Sequence, residues 1–319
     1  MNMKTITVDE LKNLYVPARG SHKGQNGRLL VIGGSHLFHA ASLWALTVAS
    51  RIVDLVHYCS VPENNEIVQK AKEEFRNGIV VRREDVESYI EEDDCILIGP
   101  GMERDAETKE LTDMLLRKYP KKQWVIDAGA LQMLDLSVIP KNAILTPHHG
   151  EFTSLLGAEV GMPWFSYRQG PDLPDIHKRS GAKAVAVLQN GTPPRASDLF
   201  RWSDEDKVKW FAKQYKCIVL LKGETDIACS GGACDEKYCV PGECRVIEGG
   251  NPGMTKGGTG DVLAGLIAAL ACKNDPFLAT IAGAFINKKA GDALYKKVGP
   301  YFNATDLAGE IPLVMKNLI

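Results

Sequence analysis

The 319-residue sequence has no apolar run long enough to cross a bilayer. Segments such as 262–272 fall well short of the ~20 residues a spanning helix needs. It also lacks an excess of either charge, with 38 Lys and Arg against 40 Asp and Glu. Neither nucleic acid nor a membrane surface is therefore an expected partner. The first fourteen residues mix charged and apolar side chains and do not read as a secretory signal. There is no internal repeat and no low-complexity tract. No Walker A pattern is present, and no Gly-x-Gly-x-x-Gly follows the first strand, which counts against a dinucleotide-dependent oxidoreductase. What remains is an ordinary globular chain, long enough for one large α/β domain or two small ones, with a cytoplasmic location as the expectation.

What the chain does have is a glycine-dense stretch, Gly250-Asn251-Pro252-Gly253-Met254-Thr255-Lys256-Gly257-Gly258-Thr259-Gly260-Asp261, running into the apolar segment 262–272. Glycines let a backbone approach an anion and take positive φ. The amides of the helical turn that follows lack internal partners, and the helix dipole favours negative charge there. Asp261 falls at that first turn, where the same field is expected to keep its carboxylate ionised and able to accept a proton. A Gly-Asp pair before a helix also serves as an ordinary turn and cap, so the stretch does not decide the matter alone.

The remaining pattern alternates strands and helices. Apolar runs at 28–33, 52–60, 78–82, 95–99, 124–127, 143–146 and 217–223 read as strands. Segments 39–53, 64–75, 105–118, 204–215, 276–297 and 305–317 have helical spacing, with Ser203 a natural cap. This pitch means βαβ units and a mostly parallel sheet covered on both faces. The rhythm breaks over 161–203, where prolines and polar residues surround one strand candidate at 184–188. No new core follows, so this reads as a surface insertion in a single domain.

Ligands bind beyond the carboxyl ends of strands in such sheets. Here those ends carry Gly33-Gly34-Ser35, Gly99-Pro100-Gly101, Asp127-Ala128-Gly129, Thr146-Pro147-His148 and Lys222-Gly223-Glu224. Each has a plain explanation as a turn, a cap or a solvated charge. Five of them on one rim suit a large phosphorylated ligand.

Eight cysteines fall into two groups. Cys59, Cys95, Cys217 and Cys272 sit in apolar segments as buried thiols. Cys229, Cys234, Cys239 and Cys244 are evenly spaced between the Lys222 strand and the glycine loop. A hairpin over 226–247 centred near Glu236 sets Cys234 opposite Cys239 and Cys229 opposite Cys244. Three readings stay open: a structural Zn²⁺ held by four thiolates, two cross-strand disulfides, or four free thiols. Zinc sites usually show two-residue gaps, and cytosolic proteins rarely keep disulfides.

Taken in order, Lys23-Gly24, Gly27-Arg28, Gly33-Gly34-Ser35, Phe38-His39-Ala40-Ala41, Gly99-Pro100-Gly101, Asp127-Ala128, Leu131, Thr146-Pro147-His148 with Gly150-Glu151-Phe152, Lys222-Gly223 and the stretch 250–265 resemble the ADP- or ATP-dependent NAD(P)H-hydrate dehydratases, a branch of the ribokinase-like superfamily. The resemblance covers roughly 20–315 without the insertion. It implies a ribokinase-like three-layer α/β/α sandwich, and an enzyme that phosphorylates the ring hydroxyl of hydrated NADH or NADPH and then releases phosphate to restore the cofactor. It implies ADP or ATP as co-substrate, Mg²⁺ to screen it, and an oligomer of like chains. Asp261 matches the general base, with Gly258, Thr259 and Gly260 around the transferring phosphoryl group. Ala41, Gly101, His148 and Asp261 match positions that hold the hydrated nicotinamide. Lys222, Gly223, Glu224, Thr225, Asp226 and Gly260 match nucleotide contacts.

Two departures stand out. Ala40-Ala41 replaces the usual Gly-Ala, and Asp226 stands where Thr is frequent, so an extra carboxylate falls near a polyphosphate. Many relatives carry an N-terminal epimerase domain; with some 20 residues before Lys23, the dehydratase part alone is expected. A small-molecule kinase on the same fold, acting on a hydroxymethylpyrimidine, a thiazole alcohol or a sugar, is the chief alternative. A non-catalytic nucleotide sensor is a further one. The Thr146-Pro147-His148 block with Glu151 favours the dehydratase over the kinase, and Asp261 counts against the sensor.

Overall fold

The computed structural model of the protein describes residues 3–71, 77–159, 201–234, 239–240 and 242–319. In chain order its elements are β1 (Lys4–Thr5), α1 (Val8–Leu11), β2 (Arg28–Ile32), α2 (His39–Ala49), β3 (Leu55–Cys59), α3 (Pro62–Ala71), β4 (Ile79–Val80), α4 (Val86–Glu92), β5 (Cys95–Ile98), α5 (Ala106–Lys118), β6 (Gln123–Ile126), α6 (Ala128–Met133), β7 (Ile144–Leu145) and α7 (His149–Glu159). The second half supplies α8 (Asp204–Tyr215), β8 (Ile218–Leu221), β9 (Asp226–Ser230), β10 (Ala233–Cys234), β11 (Cys239–Val240), β12 (Cys244–Ile247), α9 (Thr259–Ala271), α10 (Pro276–Val298) and α11 (Ala304–Leu318). Ser203 caps α8 as expected, its hydroxyl accepting from the amide of Asp206. The insertion expected at 161–203, with its strand candidate at 184–188, lies outside the described residues except for its last three positions.

The main sheet has ten strands in the order β1-β12-β9-β8-β7-β6-β5-β2-β3-β4. From β4 through β8 every neighbour is parallel, and β9 runs antiparallel between β8 and β12. Strand periodicity divides each apolar run between two cores. Leu29 and Val31 join Leu97, Val125, Ile144, Ile218 and Leu220 under α2, α9, α10 and α11. Leu30 and Ile32 join Ile96, Ile98, Trp124, Ile126, Leu145 and Val219 on the other face, under α4 to α8. Both faces are apolar because helices cover both, giving the expected three-layer α/β/α sandwich.

Helix α9 is the element that most constrains the site. Eleven of its thirteen residues are buried, because it packs on β5 and β6 of the sheet and on α2, α10 and α11. A helix apolar on all sides is held from all sides, so its N-terminal turn has a fixed place at the carboxyl rim of the parallel strands.

Candidate active site

The glycine loop turns into α9 at Gly258, which is the N-cap with φ +94°. A β-carbon there would lie 2.4 Å from the Trp44 ring and 2.7 Å from Ala304 Cβ. Only glycine meets both the backbone angle and the space. No side chain of another residue caps this helix; the Thr259 amide reaches back to the Lys256 carbonyl at 3.4 Å, and a helix start of this kind, with its dipole, suits an anion. The Thr259 hydroxyl faces inward, within reach of the Met254 (2.7 Å) and Lys256 (2.9 Å) carbonyls, and closes the loop on itself. Lys256 is spent in the same way on the Pro300 and Phe302 carbonyls. Within this loop, therefore, backbone groups and Asp261 are what face a ligand.

Asp261 sits in the third position of α9, three residues past the cap Gly258. Its carboxyl is not held ionised by the helix dipole, as the sequence suggested. Burial and the neighbouring Asp127 carboxylate push its pKa up from 3.8 to about 7; Lys222 and local amides pull the other way and lose. A base whose pKa lies near the working pH is well matched to general base catalysis.

Three strand ends bring the other charges to the same rim. Asp127, following β6 and 2% exposed, accepts from Thr146 Oγ1 at 2.8 Å and from Lys222 Nζ at 2.9 Å. Lys222 follows β8, and its Nζ lies 3.6 Å from where a β-carbon on Gly260 would be. Burial disfavours its ammonium, but the Asp127, Glu151 and Asp261 carboxylates together outweigh that and hold its pKa above the lysine value. Glu151, in the first turn of α7, accepts from the His148 amide and from Gln132 Nε2, both at 2.9 Å. Three carboxylates thus surround one ammonium among the described residues. A polyphosphate entering this field needs added positive charge, and hard oxygen donors of this kind suit Mg²⁺. No group of three or more His, Cys, Asp or Glu side chains placed to hold a metal ion is found among the described residues.

Of the residues expected to hold the dihydropyridine, Ala41 and Gly101 meet. Gly101, with φ +74°, lies so close to α2 that an added β-carbon would fall 3.1 Å from Ala41 Cβ and 2.3 Å from the Phe38 carbonyl. His148 ends the row, its side chain exposed and 3.6 Å from Glu151, in a parallel bridge with Lys222.

In the turn expected to meet the nucleotide, Glu224 and Thr225 are exposed, whereas Asp226 is not. Asp226 is 4% exposed, accepts from the Gly223 amide at 2.9 Å and faces Lys288 at 3.3 Å. Its carboxylate therefore shapes the turn from within and is not itself a contact for a polyphosphate. Two partners of this turn escaped the sequence reading. His149 places Nδ1 3.1 Å from the Lys222 carbonyl and Nε2 3.2 Å from Asp204. Both ring nitrogens face acceptors, which favours the imidazolium. Accordingly the Asp204 hydrogen bond raises the His149 pKa, and the same contact lowers that of Asp204 to about 2. Lys288 is the second. Neither carries a local motif; only the fold brings residues so far apart in sequence together.

The cysteine hairpin has the predicted register, with Cys234 opposite Cys239 and Cys229 opposite Cys244. Cys229 and Cys244 are joined by a disulfide. Both sulfurs are consumed, so the four-thiolate zinc site is not formed and the free-thiol reading fails for this pair. Cross-strand neighbours place their β-carbons within disulfide reach, which zinc with four ligands at wider gaps does not require.

Comparisons with known proteins bear on the family and the fold. A family model described as NAD(P)H-hydrate dehydratase matches residues 29–187 and 198–313. The chain is 33% identical to an ADP-dependent (S)-NAD(P)H-hydrate dehydratase of Nitrosopumilus maritimus, covering 99% of this chain and 98% of that one. It is 32% identical to a bifunctional NAD(P)H-hydrate repair enzyme of Methanocaldococcus jannaschii over 96% of its own length, yet spans only about half (52%) of that longer relative. In fold it resembles a Bacillus subtilis ADP/ATP-dependent NAD(P)H-hydrate dehydratase co-crystallised with ATP/Mg²⁺, with TM-score 0.75 at 22% identity over 100% of both chains. A ribokinase-like superfamily protein of Enterococcus faecalis gives 0.71 at 21% identity, over 99% of this chain and 96% of its own. The chain, by its own sequence, belongs to the NAD(P)H-hydrate dehydratase family.

Proposed function

We propose that the protein restores hydrated NADH and NADPH to the intact cofactors at the expense of a nucleoside phosphate. The observation that carries this reading is Asp261, with a pKa near neutrality, at an uncapped helix start beside Lys222, Asp127 and Glu151. Hydroxide is a poor leaving group, and phosphorylation makes it a good one. Asp261 takes the proton of the ring hydroxyl as that oxygen attacks the terminal phosphorus, and the bond from phosphorus to the nucleotide breaks. The backbone amides of Gly258 to Gly260 and the Lys222 ammonium lie where charge develops on the transferring group. The carbon–oxygen bond then breaks with phosphate departing, and loss of a ring proton restores the dihydropyridine. Ala41, Gly101 and His148 line the side that receives the ring, while Lys222 to Thr225 form the nucleotide side. With Mg²⁺ bound alongside the nucleotide, Asp127, Glu151 and Asp261 would face a polyphosphate whose charge is largely offset.

The Nitrosopumilus maritimus relative is named for ADP and for the S epimer, and we take both as the preferred co-substrate and substrate here. Assembly as an oligomer and action in the cytoplasm remain part of this reading. Among the described residues no helix is long and apolar enough to cross a membrane.

The test is direct. The protein is incubated with separated epimers of hydrated NADH, Mg²⁺ and either ADP or ATP, and dihydropyridine absorbance is followed. Recovery with the S epimer and ADP is the expected result. No recovery with either nucleotide, together with phosphorylation of a hydroxymethylpyrimidine or thiazole alcohol, sinks the reading in favour of a kinase.

A further inference from the structure

Behind the nucleotide turn lies a buried cation with no part in the chemistry above. Lys288, in the middle of α10, is 5% exposed. Its ammonium has the Glu224 carbonyl at 2.9 Å, the Gly223 and Gly249 carbonyls at 3.1 Å, and Asp226 Oδ1 at 3.3 Å. An ammonium has three hydrogens to donate, and here three backbone carbonyls from two separate segments surround it. One segment is the turn after β8. The other is the corner at which β12 gives way to the glycine loop leading to Asp261. A charge this deeply buried persists only when it is paired and hydrogen-bonded. Asp226 supplies the pairing and, by accepting from the Gly223 amide, closes the turn on itself.

We propose that Lys288, with Asp226 as its counter-ion, is the positioning residue of the nucleotide cradle. It ties the turn at 222–226 to the corner at 249–250, so that a polyphosphate meets a surface already formed. This rests on the reading of that turn as nucleotide-binding. The arrangement also removes a difficulty seen in the sequence. A carboxylate at position 226 would repel a polyphosphate if it faced one. Turned inward against Lys288, it contributes no net charge to the cradle. The carbonyl oxygens of Gly223 and Glu224, drawn back toward the ammonium, are likewise kept from an anionic ligand.

The experiment compares the full chain with Lys288→Met and with the double variant Asp226→Asn/Lys288→Met, which removes both charges together. Two quantities are read. One is the rise in Tm on adding Mg²⁺ and ADP or ATP alone, which reports nucleotide binding. The other is the set of KM and kcat values for dehydration. Loss of a lysine that donates to three carbonyls is expected to raise the nucleotide KM about tenfold and to cut the nucleotide-induced rise in Tm to about half at a nucleotide concentration about a hundred times the parent's Kd. kcat at saturating nucleotide should stay within about threefold, with the KM for hydrated NADH unchanged, as expected when only ground-state nucleotide binding is lost. An unchanged nucleotide KM in either folded variant overturns the proposal, as does a parallel fall in kcat and rise in both KM values. Failure of both variants to fold assigns Lys288 to stability alone and overturns it too. If the parent binds nucleotide but does not restore hydrated NADH, and the variants show the smaller rise in Tm, the dehydratase reading falls and the cradle stands. If nucleotide leaves the parent's Tm unmoved, the turn is no nucleotide site and both fall.

Discussion

Replacing Asp261 with asparagine keeps the shape of the side chain and removes one charge, which makes two opposed demands on the protein. The folded state holds the Asp261 proton to about pH 7, against 3.8 for an ordinary aspartate. Below pH 4 the carboxyl is protonated in both folded and unfolded states and contributes nothing to the difference. Between about 4 and 7 the unfolded chain loses its proton first, so stability falls as pH rises. Above 7 the full penalty applies. Three units at ~1.4 kcal/mol each make about 4 kcal/mol an upper value, and solvent screening of a half-buried group brings the working figure nearer 2 kcal/mol. Asp261→Asn should therefore unfold on the order of 3 °C higher than the parent at pH 8.5, with the gain shrinking through pH 4.5 and gone by about pH 3. The same variant should lose about two orders of magnitude or more in turnover, since no base remains to take the hydroxyl proton. The assays are Tm against pH on nucleotide-free protein, and the rate of dihydropyridine recovery. A stability difference independent of pH, or a variant less stable than the parent at pH 8.5, would refute the account of Asp261 as a buried, repelled carboxylate. Undiminished turnover would refute its role as base.

Lys222→Met removes the ammonium that stabilises ionised Asp261, so the acid limb of kcat/KM should move upward from about pH 7, by on the order of one unit; a limb that stays or moves down contradicts the cluster. Gly258→Ala forces a β-carbon against Trp44 and Ala304 at φ +94°. Strain and overpacking together should cost about 2–5 kcal/mol, seen as a loss of denaturation midpoint, and a variant as stable as the parent would mean that the turn is looser than described. The Cys229–Cys244 disulfide closes a separation of 15 residues, worth about 3 kcal/mol. Unreduced digests of purified protein should join the two peptides, and the Cys229→Ala/Cys244→Ala variant should melt lower than the oxidised parent; both cysteines found free would remove that bond from the account.

Much of the sheet was legible because buried parallel strands read as short apolar runs. β2, β5, β6 and β8 all fall where such runs lie, between helices of ordinary spacing. Short helices such as α4 and α6 were not, since six or seven residues leave too little periodicity to stand out. β1 was missed for a different reason: its two residues, both exposed, are a strand only because β12 offers them a parallel partner. Among the cysteines, the spacing named the register of the hairpin. The choice between metal and disulfide needed the distance between facing residues.

For the site, the sequence alone determined which backbone groups can meet an anion. Gly258 permits a left-handed turn, and an uncapped apolar helix after it exposes amides whatever the surroundings. It also placed Asp127, His148 and Lys222 at strand ends, because strands and their ends follow from local pattern. Only the tertiary structure decided the raised pKa of Asp261, the inward turn of Asp226, and the contacts of Lys288 and His149. Those depend on burial and on Coulomb interactions between residues far apart along the chain, which local pattern does not encode. A carboxylate beside Lys222 in water would be an ordinary acid; enclosed by α9 and Asp127, its pKa rises to about 7.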